Sequence, residues 1–122
     1  MTLIDSVRKK VDFQRHIIRT LGLKGITAIH GRIQDKEILK KMESQFEAVI
    51  SRGFADLKTF LTLSLPFLQK GGLTLAMRGR QNGEEWQSHL PIERIRCRFL
   101  KRVTLTLPFS SIQRSILLFQ KI

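Results

Sequence analysis

The chain has 122 residues, 42% of them hydrophobic, which suits one domain or part of one and excludes a chain disordered throughout. Its 22 lysines and arginines against 10 aspartates and glutamates give a net charge of +12, a field that attracts polyanions such as RNA or DNA unless a more acidic missing half balances it. The lone Cys97 excludes an internal disulfide and a cysteine-pair metal site. No apolar stretch reaches the ~18 residues of a membrane span and no leader ends in a cleavage site, so a cytoplasmic protein is expected.

"TLID" (2–5) is apolar and β-branched, ends on Asp5, and reads as a strand buried from its first residues. Val7, Val11 and Ile18, with the set Phe13, Ile17 and Leu21, fall at helical spacings and predict a helix that Gly22 stops. "ITAIHG" (26–31) predicts a short strand, 36–45 a short charged helix, and "FEAVISRG" (46–53) a strand closing on Ser51-Arg52-Gly53. Asp56 is placed to cap the helix "LKTFLTLSLPFL", which Pro66 brings towards its end, and Gly71-Gly72 reads as the turn into the strand "LTLAMRG" (73–79). Residues 80–93 are polar and loop-like. "IRCRFLKRVTLTL" (95–107) and "RSILLFQKI" (114–122) predict two final strands.

Strands and helices alternate at first, and crossovers long enough for helices imply a parallel sheet covered on both faces. The last two strands have no helix between them and read as an antiparallel hairpin at an edge. In open α/β sheets ligands bind beyond the carboxyl ends of strands. An acid there, Asp5, can accept hydrogen bonds from both ribose hydroxyls of a nucleoside cofactor. The same position would serve a nicotinamide cofactor, or simply cap the following helix. Arg78, Arg80, Arg114 and the cluster Arg94, Arg96, Arg98, Lys101 and Arg102 can contact phosphates. Alternation at 94, 96 and 98 would line three arginines on one strand face, though a charged edge strand also resists aggregation. His16, His30 and His89 lack metal-ligand spacing and read as structural or exposed. No catalytic acid–base pair stands out.

Three segments, "TLIDSVRKKVDFQRHIIRTLGLKGITAIHGRIQD", "FEAVISRGFADLKTFLTLSLPFLQKGGLTLAMRGR" and "LTLPFSSIQRSILLFQKI", together resemble the glucose-inhibited division protein B family. Its members are S-adenosylmethionine-dependent methyltransferases that modify N7 of a guanine in small-subunit (16S) ribosomal RNA. The similarity is collinear over nearly the whole chain and weakest at 36–45 and 80–94. It implies an α/β fold of the class I, Rossmann-like methyltransferase type, with sheet order 3-2-1-4-5-7-6. Residues 1–122 would be a single partial domain running from the second strand to the C-terminus. The sheet would lack its first strand, and with it the N-terminal helical region and the glycine-rich loop.

By the same resemblance S-adenosylmethionine is the cofactor, Asp5 and the Ser6 backbone lie at its ribose, and Ile33 with Gln34 or Asp35 forms the adenine pocket. Arg52 lies against the cofactor near the entry of the target base. Attack by guanine N7 on a sulfonium methyl needs alignment more than proton removal, so a missing dyad is no objection. Ribosomal RNA is the implied partner, with no metal, and a separate N-terminal fragment could complete the sheet. Whether the chain alone is an enzyme stays open. The alternatives are a non-catalytic basic RNA-binding module and an inactive fragment that needs its N-terminal partner, with a nicotinamide-binding domain more distant.

Overall fold

Two parallel strands, β1 (Thr2–Asp5) and β2 (Thr27–His30), are joined by the helix α1 (Arg8–Thr20), which lies along them. This crossover is the right-sized connection for parallel neighbours, which no tight turn can join. The computed structural model describes residues 1–52, 56–78 and 92–122. It divides into two compact units, Met1–Lys41 and Met42–Ile122.

In the first unit α1 buries Val11 completely and half-buries Ile17 and Ile18, while Phe13 is exposed. Arg15 ties the helix to the sheet, its Nε and Nη2 donating to the Ala28 carbonyl at 3.2 and 3.1 Å. The helix ends as the sequence predicts. Gly22 takes the left-handed conformation (φ 62°), and Gly22 and Leu23 donate back to the Arg19 and Ile18 carbonyls, a closure that uses two otherwise unpaired acceptors. The short α2 (Lys36–Met42) follows β2.

The second unit is a four-stranded sheet in the order β3 (Phe46–Arg52), β4 (Leu68–Arg78), β6 (Gln113–Lys121), β5 (Cys97–Thr106). β3 and β4 are parallel; β6 runs antiparallel to both its neighbours. The helix α3 (Leu57–Ser64) and a tighter turn, Leu65–Phe67, connect β3 to β4. Leu57, Phe60 and Leu61 of α3 pack with Leu68 and Ala76 of β4, Leu117 and Phe119 of β6, and Cys97 of β5. Phe99 and Phe119 meet at 5.4 Å with tilted rings.

The hairpin β5–β6 and the parallel pairs agree with expectation, and so does their order. Against 3-2-1-4-5-7-6, the sheet β1-β2 answers to strands 2 and 3 and the larger sheet to 4-5-7-6; strand 1 has no counterpart among the described residues. Two local expectations are corrected. Gly71-Gly72 lies inside β4 rather than in a turn before it, because the strand starts at Leu68 and absorbs the glycines as an irregularity in its pairing with β3. β5 starts at Cys97, because Ile92–Ile95 forms a helical turn and Arg96 adopts φ 57°. Arg94, Arg96 and Arg98 therefore do not share one strand face.

Gly72 is required by space. A Cβ there would stand 2.9 Å from the Gln69 carbonyl oxygen and 3.1 Å from Leu68 Cβ. Gly72→Ala is expected to cost about 1–3 kcal/mol through this overpacking, seen as a lower denaturant midpoint at unchanged slope.

Candidate functional site

At the carboxyl end of β1, Asp5 pairs in register with His30 at the end of β2, so the loops after both strands leave from one edge. Gly31 donates its N–H to the Asp5 carbonyl at 3.0 Å, closing the ladder. The half-buried Asp5 side chain turns forward, and its Oδ1 accepts the Val7 N–H at 2.8 Å. This is a local turn of the kind aspartate forms two residues ahead; it holds the residue before the helix and no N–H of the first helical turn, so Asp5 does not act as the side-chain cap of α1. The turn uses only part of the carboxylate. Oδ2 has no hydrogen-bond or ion-pair partner among the described residues, and a carboxylate offers about four acceptor positions.

Ser6 is exposed, with its carbonyl 3.1 Å from His30 Nε2. In the loop after β2, Asp35 is committed to local structure. Its Oδ2 accepts the Arg32 N–H at 3.1 Å, its own N–H meets the Arg32 carbonyl at 3.0 Å, and its carbonyl receives the Leu39 N–H at the start of α2. That leaves Ile33, half-buried, and Gln34, exposed and without a hydrogen-bond partner among the described residues. The edge thus holds an uncommitted acid oxygen, an apolar side chain and a free amide. These groups suit the chemistry of a nucleoside, which offers hydroxyl donors, a flat apolar face and a polar edge.

In the second unit Arg52 ends β3, exposed, opposite Met77. The next residue of β4 is Arg78, which pairs with Ser115, and Arg114 precedes Ser115 on β6. Arg52, Arg78 and Arg114 therefore follow one another along the carboxyl edge of the parallel strands. Asp56 does not hold Arg52. It caps α3, its Oδ1 accepting the Thr59 N–H at 2.9 Å and its Oδ2 the Thr59 hydroxyl at 2.8 Å.

The remaining arginines separate. Arg98 donates to Gln120 Oε1 at 2.7 Å, and the Arg96 carbonyl accepts the Ile122 N–H, at the other end of the hairpin. Arg98 is seven residues along β5 from Leu105, the partner of Arg114, or roughly 20 Å. Arg102 donates to Ser115 Oγ at 3.3 Å from Nε and Nη2. Arg80, Trp86 and His89 lie outside the described residues. Among the described residues no group of three His, Cys, Asp or Glu could hold a metal ion, and no helix is long and apolar enough to cross a membrane. His30 is the residue of this edge that sequence reasoning passed over. Its signal was positional: it ends "TAIH" as Asp5 ends "TLID".

Solved structures define the class. A SAM-dependent methyltransferase from Methanosarcina mazei superposes with a TM-score of 0.71 at 11% identity, covering 99% of this chain and 81% of that one. A putative methyltransferase from Escherichia coli gives 0.65 at 15%, covering 98% and 61%. The fold is that of the Rossmann-like methyltransferases.

Within that class the chain belongs to the family described as rRNA small subunit methyltransferase G, whose profile matches residues 1–117. The ribosomal RNA small subunit methyltransferase G of Geotalea uraniireducens is 32% identical over 120 residues, covering 98% of this chain and 54% of the relative. That of Geobacter metallireducens is 35% identical over 115 residues, covering 93% and 51%. The chain spans about half the length of these curated relatives.

The Asp56 cap supplies a pH test of the fold at the start of α3. Its hydrogen bonds from Thr59, backbone first, hold the Asp56 carboxyl below the usual value of 3.8. A lowered folded pKa means stability that is present above pH 3.8 and lost as pH falls through the folded value. Asp56→Asn, which can still cap, should flatten this part of the acid-unfolding profile while leaving the far-ultraviolet helix signal unchanged.

Proposed function

We propose that this chain forms the nucleoside-holding and RNA-contacting part of a methyltransferase that acts on N7 of a guanine in small-subunit ribosomal RNA, in the cytoplasm. The observation that carries the reading is the uncommitted Asp5 oxygen beside Ile33 and Gln34 on one sheet edge, in a chain of this family. S-adenosylmethionine, when bound, supplies an electrophilic sulfonium methyl group. Asp5 accepts the ribose hydroxyls, Ile33 packs on the adenine and Gln34 meets its polar edge, with the Ser6 backbone alongside.

The second unit supplies cations. Arg52 is proposed to meet the target base, and Arg78 and Arg114 to extend the positive edge towards phosphates. Arg80, Arg96 and Arg98 complete the RNA-binding set proposed from the sequence, the last two from the opposite end of the hairpin. Guanine N7 has a free lone pair, so alignment by these contacts is the chain's contribution and no protein base is required.

An N-terminal segment, on the same chain or a second one, is the proposed partner. Among the described residues β1 and β3 each hydrogen-bond to one neighbouring strand, which leaves the other edge of each open to pairing. Each backbone group left buried and unpaired costs about 1–3 kcal/mol, a large share of a domain's ~5–15. Calorimetry on the isolated 122 residues should therefore give S-adenosylmethionine affinity weaker than micromolar, and adding the missing segment of a relative should strengthen it. Micromolar binding by the isolated chain would remove the need for a partner. Asp5→Ala should weaken the supplemented complex about 10–100-fold, as loss of a charge-assisted hydrogen bond does.

The row Arg52, Arg78, Arg114 also supports a second reading, a basic RNA-binding module without catalysis. Arg114→Ala should lower the slope of log affinity for RNA against log salt by about 0.7–0.9 under either reading. Methyl transfer that needs Asp5 separates them: RNA binding with no cofactor dependence at any concentration would favour the module.

A further inference from the structure

The turn from β1 into α1 has little support of its own. Val7, the residue before the helix, offers no side-chain cap, and the first helical turn carries no acid. What fixes it is three hydrogen bonds. Val7 donates to Asp5 Oδ1, Gly31 donates to the Asp5 carbonyl, and His30 reaches from the end of β2 to the Ser6 carbonyl. Two of the three come from consecutive residues, His30 at the end of the neighbouring strand and Gly31 just past it.

The chemistry of the last contact is determined by its acceptor. A carbonyl oxygen cannot donate, so at 3.1 Å the proton must sit on His30 Nε2. The ring is exposed, and this is its hydrogen bond among the described residues. Burial and packing therefore do not explain its orientation; the Ser6 carbonyl does. With the Asp5 and Ser6 carbonyls both held from β2, the peptide planes on either side of the Ser6 Cα have little freedom. The Asp5 carboxylate is then presented in one direction before any ligand arrives.

We infer that His30 is a positioning residue for the nucleoside site, its Nε2–H holding the Ser6 carbonyl so that the Asp5 carboxylate is pre-aligned for ribose hydroxyls. The inference rests on the nucleoside reading above and adds a residue that this reading does not use. His30 touches no ligand. It acts through Ser6 and Asp5, so what matters is a donor at the reach of Nε2, rather than an imidazole as such. The imidazolium and the neutral Nε2–H tautomer both satisfy the bond; the Nδ1–H tautomer breaks it.

The test uses the full chain supplemented with the N-terminal segment of a relative, with millimolar S-adenosylhomocysteine as the probe, followed by the amide resonances of Asp5, Ser6 and Gln34. Long-range nitrogen–proton spectra of the ring should find the neutral form protonated on Nε2. His30→Gln, which keeps a donor at similar reach, should bind within about threefold of the parent, and His30→Phe about tenfold more weakly, the cost of one good hydrogen bond. The Val7 amide should exchange faster in His30→Phe alone. In an Asp5→Ala background the His30→Phe penalty should shrink, because the two residues act on one contact.

An Nδ1–H tautomer, equal losses in the Gln and Phe variants, or full additivity with Asp5→Ala would each overturn the positioning role. Wild-type binding with no effect of His30→Phe overturns that role and leaves the nucleoside reading intact. A wild-type chain supplemented with the N-terminal segment whose edge resonances still ignore the probe overturns the nucleoside reading itself, even where the tautomer and exchange data agree.

Discussion

Period-two alternation along hydrogen-bonded strands decides where each side chain of the larger sheet stands, and it is reset at two places. Thr74 and Ala76 on β4 share a face with Leu117 and Phe119 on β6, and that face receives Leu57, Phe60 and Leu61 of α3. Gly71-Gly72 makes the first reset, shifting the pairing of β4 with β3 between Phe46 and Ala48. Leu100 makes the second, between Phe99 and Lys101 on β5. Without it Arg102 would share the face of Arg98. With it Arg102 stands opposite Leu117, on the face of Phe99 and Phe119, and reaches Ser115. Cys97 starts the same strand on the core side; burial pushes its thiol up, so it is a packing residue rather than a nucleophile.

Strand polarity then sorts the charges. Because β3 and β4 run parallel and β6 returns beside them, the ends of two strands and the start of a third meet at one edge, and each contributes an arginine. The start of α3 lies within reach of that edge, since the Arg78 charge is among the influences that lower the Asp56 carboxyl, though the smallest of them. Placing Arg52, Arg78 and Arg114 in sequence concentrates positive charge at one edge. A polyanion bound there, as proposed, would gain from the release of its own counterions. The arginines at the far end of β5 are used differently. Arg98 is bonded across the hairpin to Gln120, whose amide in turn donates to the Gly71 carbonyl, so this side chain stitches β5 to the irregular part of β4.

What could be read from the sequence follows from how local each signal is. The strands β1, β2, β3 and β6, the α1 stop at Gly22 and the Asp56 cap are written in spacings of a few residues, and they appear where expected. Asp5 at a strand end was equally legible. The two resets were not, because an irregularity in pairing depends on a partner strand distant in sequence. Reading strand alternation through 94, 96 and 98 put Arg94, Arg96 and Arg98 on a single face; the helical turn at Ile92–Ile95 and the left-handed Arg96 undo that. His30 was missed for a related reason. A histidine with no metal-ligand spacing is unremarkable until the register Asp5 to His30 brings its ring to the Ser6 carbonyl.

The chemistry proposed for the chain accounts for what the edge holds and for what it does without. A lone pair attacking a sulfonium methyl loses no proton before the bond forms, so a base would stabilise nothing in the transition state. Direction and distance are what remain to be controlled, and both are properties of backbone geometry. That is where this sheet edge concentrates its interactions: three hydrogen bonds on three residues, Asp5 to Val7, two made by side chains, the half-buried Asp5 and the exposed His30, and one between backbones. Asp5 is only half-buried, and one oxygen is spent on aiming the other. Such an acid is suited to holding a ligand in place.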